Sequence, residues 1–140
     1  VPILASSLRT SLPLVEIFDD WFAAGPEADD FWKTYEITRG RSYLDALDGY
    51  AARHVFTFDR HHLDTSSAAV LVLPAGKSGH LEAGYMVGQG KPVFILLDAE
   101  DVRWDVMYGF ATAVVDNEKD LINGLKSSLY PSALPKLSVV

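Results

Sequence analysis

Ala68-Ala69-Val70-Leu71-Val72-Leu73-Pro74, then Ala75-Gly76-Lys77-Ser78-Gly79, then His80-Leu81-Glu82-Ala83-Gly84-Tyr85-Met86-Val87-Gly88-Gln89, and last Gly90-Lys91-Pro92-Val93-Phe94-Ile95-Leu96-Leu97, is the stretch that decides the fold. The first run is continuous, apolar and contains β-branched residues, as a strand buried on both faces requires. The polar glycine loop after it opens a helix, which Ser78 is placed to cap and Gly90 to end. Lys91-Pro92 then leads into a second buried strand. Strand, loop, helix and strand make a βαβ unit, whose right-handed crossover implies a parallel sheet. The chain is therefore expected to be α/β.

Outward from this unit the pattern is less sharp. Residues 3–6 read as a first strand and residues 14–19 as a second. Within residues 43–52, Leu44, Leu47 and Ala51 recur at helical spacing. Residues 59–66 read as a short helix or turn before the central strand. Residues 111–115 read as the last strand. Residues 117–129 read as the last helix, with Leu121, Ile122 and Leu125 on one face. The prolines of residues 130–135 stop that helix. One connection conflicts with the rest. If residues 3–6 and 15–18 are neighbouring parallel strands, only residues 7–14 join them, whereas a parallel crossover takes roughly a dozen residues or more. Pro13 also forbids a helix there. Either the two strands are not both real, or a helical segment is absent from this part of the sequence. The expectation is the second.

The chain has 140 residues, 12 Lys and Arg against 19 Asp and Glu, and no cysteine. That length predicts a single domain spanning the whole chain. Without cysteine there is no disulfide, no thiolate metal site, no iron–sulfur cluster and no thiol nucleophile. A net charge of −7 argues against a nucleic-acid polymer or an anionic membrane surface as partner. The longest apolar runs, residues 68–74 and 92–97, are strand-sized and far short of a membrane span. Residues 1–7 are too short for a signal sequence and lack a basic leader, so a cytoplasmic location is expected.

The loop after a central parallel strand opens at the carboxyl edge of the sheet, where such folds bind ligands near a helix N-terminus. Here it holds Gly76, Lys77, Ser78 and Gly79. Glycines let the backbone approach a ligand, Lys77 supplies charge and Ser78 a hydroxyl. The full phosphate-loop signature is missing, and a helix cap beside a solvated lysine is the competing reading. Glu82 lies one turn into an otherwise small and apolar helix. Its anionic form is favoured there, which suits a nucleophile or base, although a first-turn glutamate can simply complement the helix dipole. Gly84 and Gly88 each weaken a helix, so close packing on the sheet or against another subunit should compensate. His54, His61, His62 and His80 show no metal-ligand spacing, and no metal is expected.

Over residues 71–85, and on through Gly88-Gln89-Gly90-Lys91-Pro92-Val93, the sequence resembles the nucleoside 2-deoxyribosyltransferase superfamily. The shared pattern is a buried strand, a polar loop, a glutamate followed by small residues, then G-K-P-V into the next strand. It is specific over residues 59–97, with weaker similarity at Ala5-Ser6-Ser7-Leu8-Arg9 and Asp105-Val106-Met107-Tyr108. The resemblance implies a flavodoxin- or Rossmann-like parallel sheet of about five strands with helices on both faces. It implies that Glu82 attacks C1′ of a sugar and that Asp59 holds or protonates the base. Ser6, Arg9 and Ser78 match positions around the sugar and its 5′ substituent. Tyr108, Phe18 and Asp19 match segments bordering the base.

N-glycosidic cleavage passes through an oxocarbenium-like transition state, which a carboxylate can trap before a second base or water takes the sugar. A cation and a hydroxyl at Lys77 and Ser78 suit a 5′-monophosphate better than a free 5′-hydroxyl. The expectation is a nucleoside deoxyribosyltransferase or nucleotide N-glycoside hydrolase. It would act on a small nucleoside or nucleotide without metal or organic cofactor, as a homodimer or larger homo-oligomer. The rival is a non-catalytic nucleotide-sensing module on the same fold.

Overall fold

The Ala68–Leu73 stretch is buried at every position and forms the central strand of the sheet. A computed structural model of the chain describes residues 2–19, 28–100, 104–130 and 135–140. Its elements, in chain order, are α1 (Pro2–Ser11), β1 (Glu16–Phe18), α2 (Ala28–Thr38), α3 (Tyr43–Leu47), α4 (Tyr50–Thr65), β2 (Ala68–Leu73), α5 (Lys77–Gly88), β3 (Val93–Leu97), a short 3-10 helix η1 (Val106–Phe110), β4 (Ala113–Val115), α6 (Glu118–Leu129) and β5 (Lys136–Val139). The chain divides into two compact units, one of Val1–Asp19 with Thr65–Val140 and one of Asp20–Asp64.

The first unit carries a five-stranded sheet, all parallel, in the order β1-β5-β2-β3-β4. The fold class is α/β of the flavodoxin/Rossmann-like kind. Alternation along the strands separates two faces. On one, Val70 and Val72 of β2, Phe94 and Leu96 of β3, and Leu137 and Val139 of β5 share a core with α1 and α6. Leu4 and Leu8 of α1, with Leu12 just after it, come from one side, and Leu121, Leu125 and Leu129 of α6 from the other. On the opposite face α5 lies against β2 and β3 and buries Ala83 and Met86.

Residues 3–6 are not a strand. They belong to α1, because Leu4, Ala5, Leu8 and Leu12 recur at helical spacing and are all buried, while Ile3, Ser6 and Thr10 face out. Pro2 sits in the first turn, where its missing N–H costs nothing. The chain then turns through Val15 N–H donating to Leu12 carbonyl at 3.0 Å and enters β1. A helix followed by a strand needs no crossover at that point, so the expectation of an absent helical segment is withdrawn.

The fifth strand comes from β5, which the sequence reading did not identify. It inserts between β1 and β2, pairing Leu137 with both Ile17 and Ala68. Its one polar inward residue, Ser138, is fully buried and its hydroxyl lies 2.6 Å from that of Ser66, so each has a partner.

Other elements fall where the sequence places them, with shifted ends. The helix expected within residues 43–52 is two, α3 and the start of α4, separated at Asp48-Gly49. Residues 59–65, expected as a short helix or turn, are helical and form the last part of the longer α4. Asn117 caps α6, its side chain accepting from Asp120 N–H at 2.9 Å. The expectation that residues 130–135 do not continue this helix falls partly on residues 131–134, outside the described residues; α6 itself ends at Leu129. In the second unit Glu36 is 1% exposed and lies 2.7 Å from Arg41 Nε. Gly49 packs on Glu36: a Cβ there would meet Glu36 Oε1 at 2.8 Å.

Candidate functional site at the carboxyl edge of the sheet

The order β1-β5-β2-β3-β4 sets where a ligand crevice can form. It is the doubly wound order in which the strand beside β1 is supplied by the last strand of the chain, so the switch point falls between β5 and β2. Outside the carboxyl ends of those strands lie Val140 and the loop 74–76 that leads into α5. Val140 N–H donates to Val70 carbonyl at 2.7 Å, and Val72 N–H to Val140 carbonyl at 3.1 Å. A Cβ on Gly79 would lie 3.2 Å from Leu71 Cδ1 and 4.0 Å from the carbonyl carbon of Val140. The absent side chain thus lets the start of α5 sit directly on the strand ends.

The helix begins earlier than the sequence suggests. Gly76, not Ser78, is the N-cap, with ordinary extended backbone (φ −76°) and no side-chain cap hydrogen bond. Lys77 and Ser78 are the first two helical residues and both are exposed. The backbone N–H groups of this first turn have no intrahelical acceptor and no capping side chain, and with the dipole they favour an anion. At the other end Gly90 has φ +74°, the left-handed conformation that stops a helix, as expected. Glu82 is half-buried on the second turn of α5, in the same loop–helix segment as Gly76, Lys77 and Ser78.

The structure joins two other expected residues. Arg9 reaches from α1 to Asp19 at 2.5 Å and to the Ile17 carbonyl at 3.1 Å, fixing the end of β1 to the helix before it. Phe18 lies under Lys136, whose ammonium is 5.2 Å from the ring centroid. Ser6 is exposed on α1, and its carbonyl accepts from Thr10 Oγ1. Asp59 is half-buried on α4 in the second unit.

Tyr108 is held by a residue that the sequence reading gave no role. His80 Nδ1 is 2.8 Å from the Gly76 carbonyl, and its Nε2 is 3.0 Å from the Tyr108 hydroxyl. The two rings stack with centroids 5.8 Å apart. The helical spacing from Gly76 to His80 hinted at the first bond; nothing local announces the second, to a residue far along the chain. Two clefts flank Tyr108, of about 540 Å³ on the β4 side and about 230 Å³ against α5, and Glu82 lines neither.

Gly84 and Gly88 are not explained by packing on the sheet, since a Cβ at either meets nothing within 4 Å. No group of three His, Asp or Glu among the described residues is arranged to hold a metal. No helix among the described residues is long and apolar enough to cross a membrane. Compared with known proteins, the chain matches no family model, no curated protein and no solved structure.

Proposed function

We propose that this protein cleaves the N-glycosidic bond of nucleosides or their 5′-monophosphates, releasing the base to water or exchanging it for another. The observation that carries the reading is Glu82: a half-buried carboxylate on α5, one turn behind a glycine-started helix N-terminus at the switch point of a parallel sheet. In this reading Glu82 attacks C1′ as the base departs, giving a glycosyl–enzyme ester that water or an acceptor base resolves with retention. The departing base needs a proton, a role the family resemblance gives to Asp59. Lys77, Ser78 and the uncapped first turn of α5 suit the 5′-phosphate. Ser6, Arg9, Phe18, Asp19 and Tyr108 are proposed, on the same resemblance, to border the sugar and base. The reading includes a homo-oligomer, supported by exposed apolar side chains such as Trp104 and Val106, and a cytoplasmic location.

The test is incubation with a panel of nucleosides and monophosphates, with and without an acceptor base. Free base without acceptor indicates hydrolysis, and exchange alone indicates transfer. Glu82→Gln should lower the rate by a factor of about a thousand or more; a rate within a few-fold of wild type removes Glu82 from the chemistry. Lys77→Ala should weaken monophosphates about tenfold while leaving free nucleosides unchanged. Nucleotide binding with no base released over long incubation would instead establish the sensing module.

A further inference from the structure

The cleft of about 230 Å³ lies between α5 and η1, on the sheet face that α5 covers. Its walls are apolar: Leu71 and Ile95 beneath, Ala83 and Val87 on one side, Met107 and Phe110 on the other. Its polar groups are His80, Asp105 and Tyr108, and their hydrogen bonds fix what each can still offer. The Gly76 carbonyl is an acceptor only, so the His80 Nδ1 beside it carries the proton. In that tautomer Nε2 is an acceptor, to which the Tyr108 hydroxyl donates. Tyr108 has its proton committed and retains only lone pairs. Asp105 accepts from Met107 N–H at 2.9 Å with Oδ1, and Oδ2 remains an acceptor. The cleft therefore combines apolar walls with polar side chains that present acceptors, one of them a carboxylate.

Gly84, in the α5 wall of this cleft, is a poor residue for a helix interior, yet no atom of the described chain approaches the place its side chain would occupy. Space is open there, and the cavity is smaller than the usual range for a whole drug-sized ligand. We propose that this cleft binds a small planar aromatic ring bearing an amine or amidine, with the ring between α5 and Met107–Phe110 and its N–H groups donated to Tyr108 and Asp105. A ring with only carbonyl or carboxylate oxygens sets acceptor against acceptor and leaves both desolvated. This inference shares Tyr108 with the residues proposed to border the base, but it does not rest on Glu82, which does not line the cleft.

The experiment uses the whole chain with benzylamine and benzamidine as probes, and acetophenone and benzoate as acceptor-only controls, by calorimetry and ligand-observed NMR. The amine-bearing rings should bind at least about fivefold more tightly than acetophenone, with benzoate weaker still. Tyr108→Phe should reduce that preference, and Gly84→Val should abolish binding with the circular dichroism spectrum retained. Nuclear Overhauser contacts from the probe ring to the Met107 methyl, assigned with Met107→Leu, locate the site even if the valine variant does not fold. Glu82→Gln should leave all of this unchanged, whatever the outcome of the base-release assay. No binding to wild type, equal binding of acetophenone, contacts elsewhere, or loss of binding in Glu82→Gln would each overturn the proposal.

Discussion

Gly84 and Gly124 are both helical glycines, and their surroundings assign them opposite roles. A Cβ on Gly84 meets nothing, whereas one on Gly124 would stand 2.6 Å from Cε1 of Phe94, a ring that is itself buried. Gly84→Ala should therefore stabilise the protein by about 0.5–1 kcal/mol, the helical advantage of alanine. Gly124→Ala gains the same term and loses more to overpacking, for a net cost of about 1–2 kcal/mol. Urea midpoints at constant slope check both; two shifts of the same sign would contradict the packing described here. The sequence shows that each glycine weakens its helix. It cannot show which one a distant phenylalanine requires. The same limit applies to the candidate site: Glu82, Lys77 and Ser78 are legible because one short segment carries them. The His80–Tyr108 bond depends on a crossover bringing η1 beside α5.

Helices α5 and α6 begin in contrasting ways. Asn117 closes the first turn of α6 and is itself held by Asp120 Oδ2 at 2.9 Å. Asn117→Ala should cost about 1 kcal/mol in thermal or urea unfolding. Gly76 leaves α5 uncapped, at a backbone conformation any residue can adopt and with no atom within 4 Å of a Cβ. Gly76→Asp should raise stability by a few tenths of a kcal/mol, since it supplies a cap and complements the dipole. If the α5 terminus receives a phosphate as proposed, the same change should lower monophosphate affinity about tenfold through like charge. A gain in stability with unchanged affinity would move the phosphate elsewhere. Cap residues are a local code, and the sequence located the start of α6 correctly. It put the cap of α5 at Ser78 because serine is the better capping residue, while the helix in fact starts from Gly76.

The whole sheet depends on a strand that arrives last. β5 is four residues long, pairs on both sides, and buries Leu137 and Val139 completely. The amides of Val139 and Val140 should exchange at the rate of global unfolding. Leu137→Ala should cost about 2–5 kcal/mol. Exchange at Val140 as fast as in a free peptide would contradict the insertion, because its N–H is bonded to Val70. The sequence by itself determined the α/β class, the parallel β2–α5–β3 unit and the segment holding Gly76, Lys77, Ser78 and Glu82. Those follow from apolar runs and loop residues that act over a few positions. Only the tertiary structure decided that residues 3–6 are helical, since their buried partners Leu8 and Leu12 extend the pattern beyond the run that suggested a strand. Only it decided that the fifth strand is Lys136–Val139, a short run whose place between β1 and β2 depends on pairing with segments far away in the chain. Local propensity acts within a turn or a strand, and strand order and the shape of a cleft arise from contacts that no local pattern encodes.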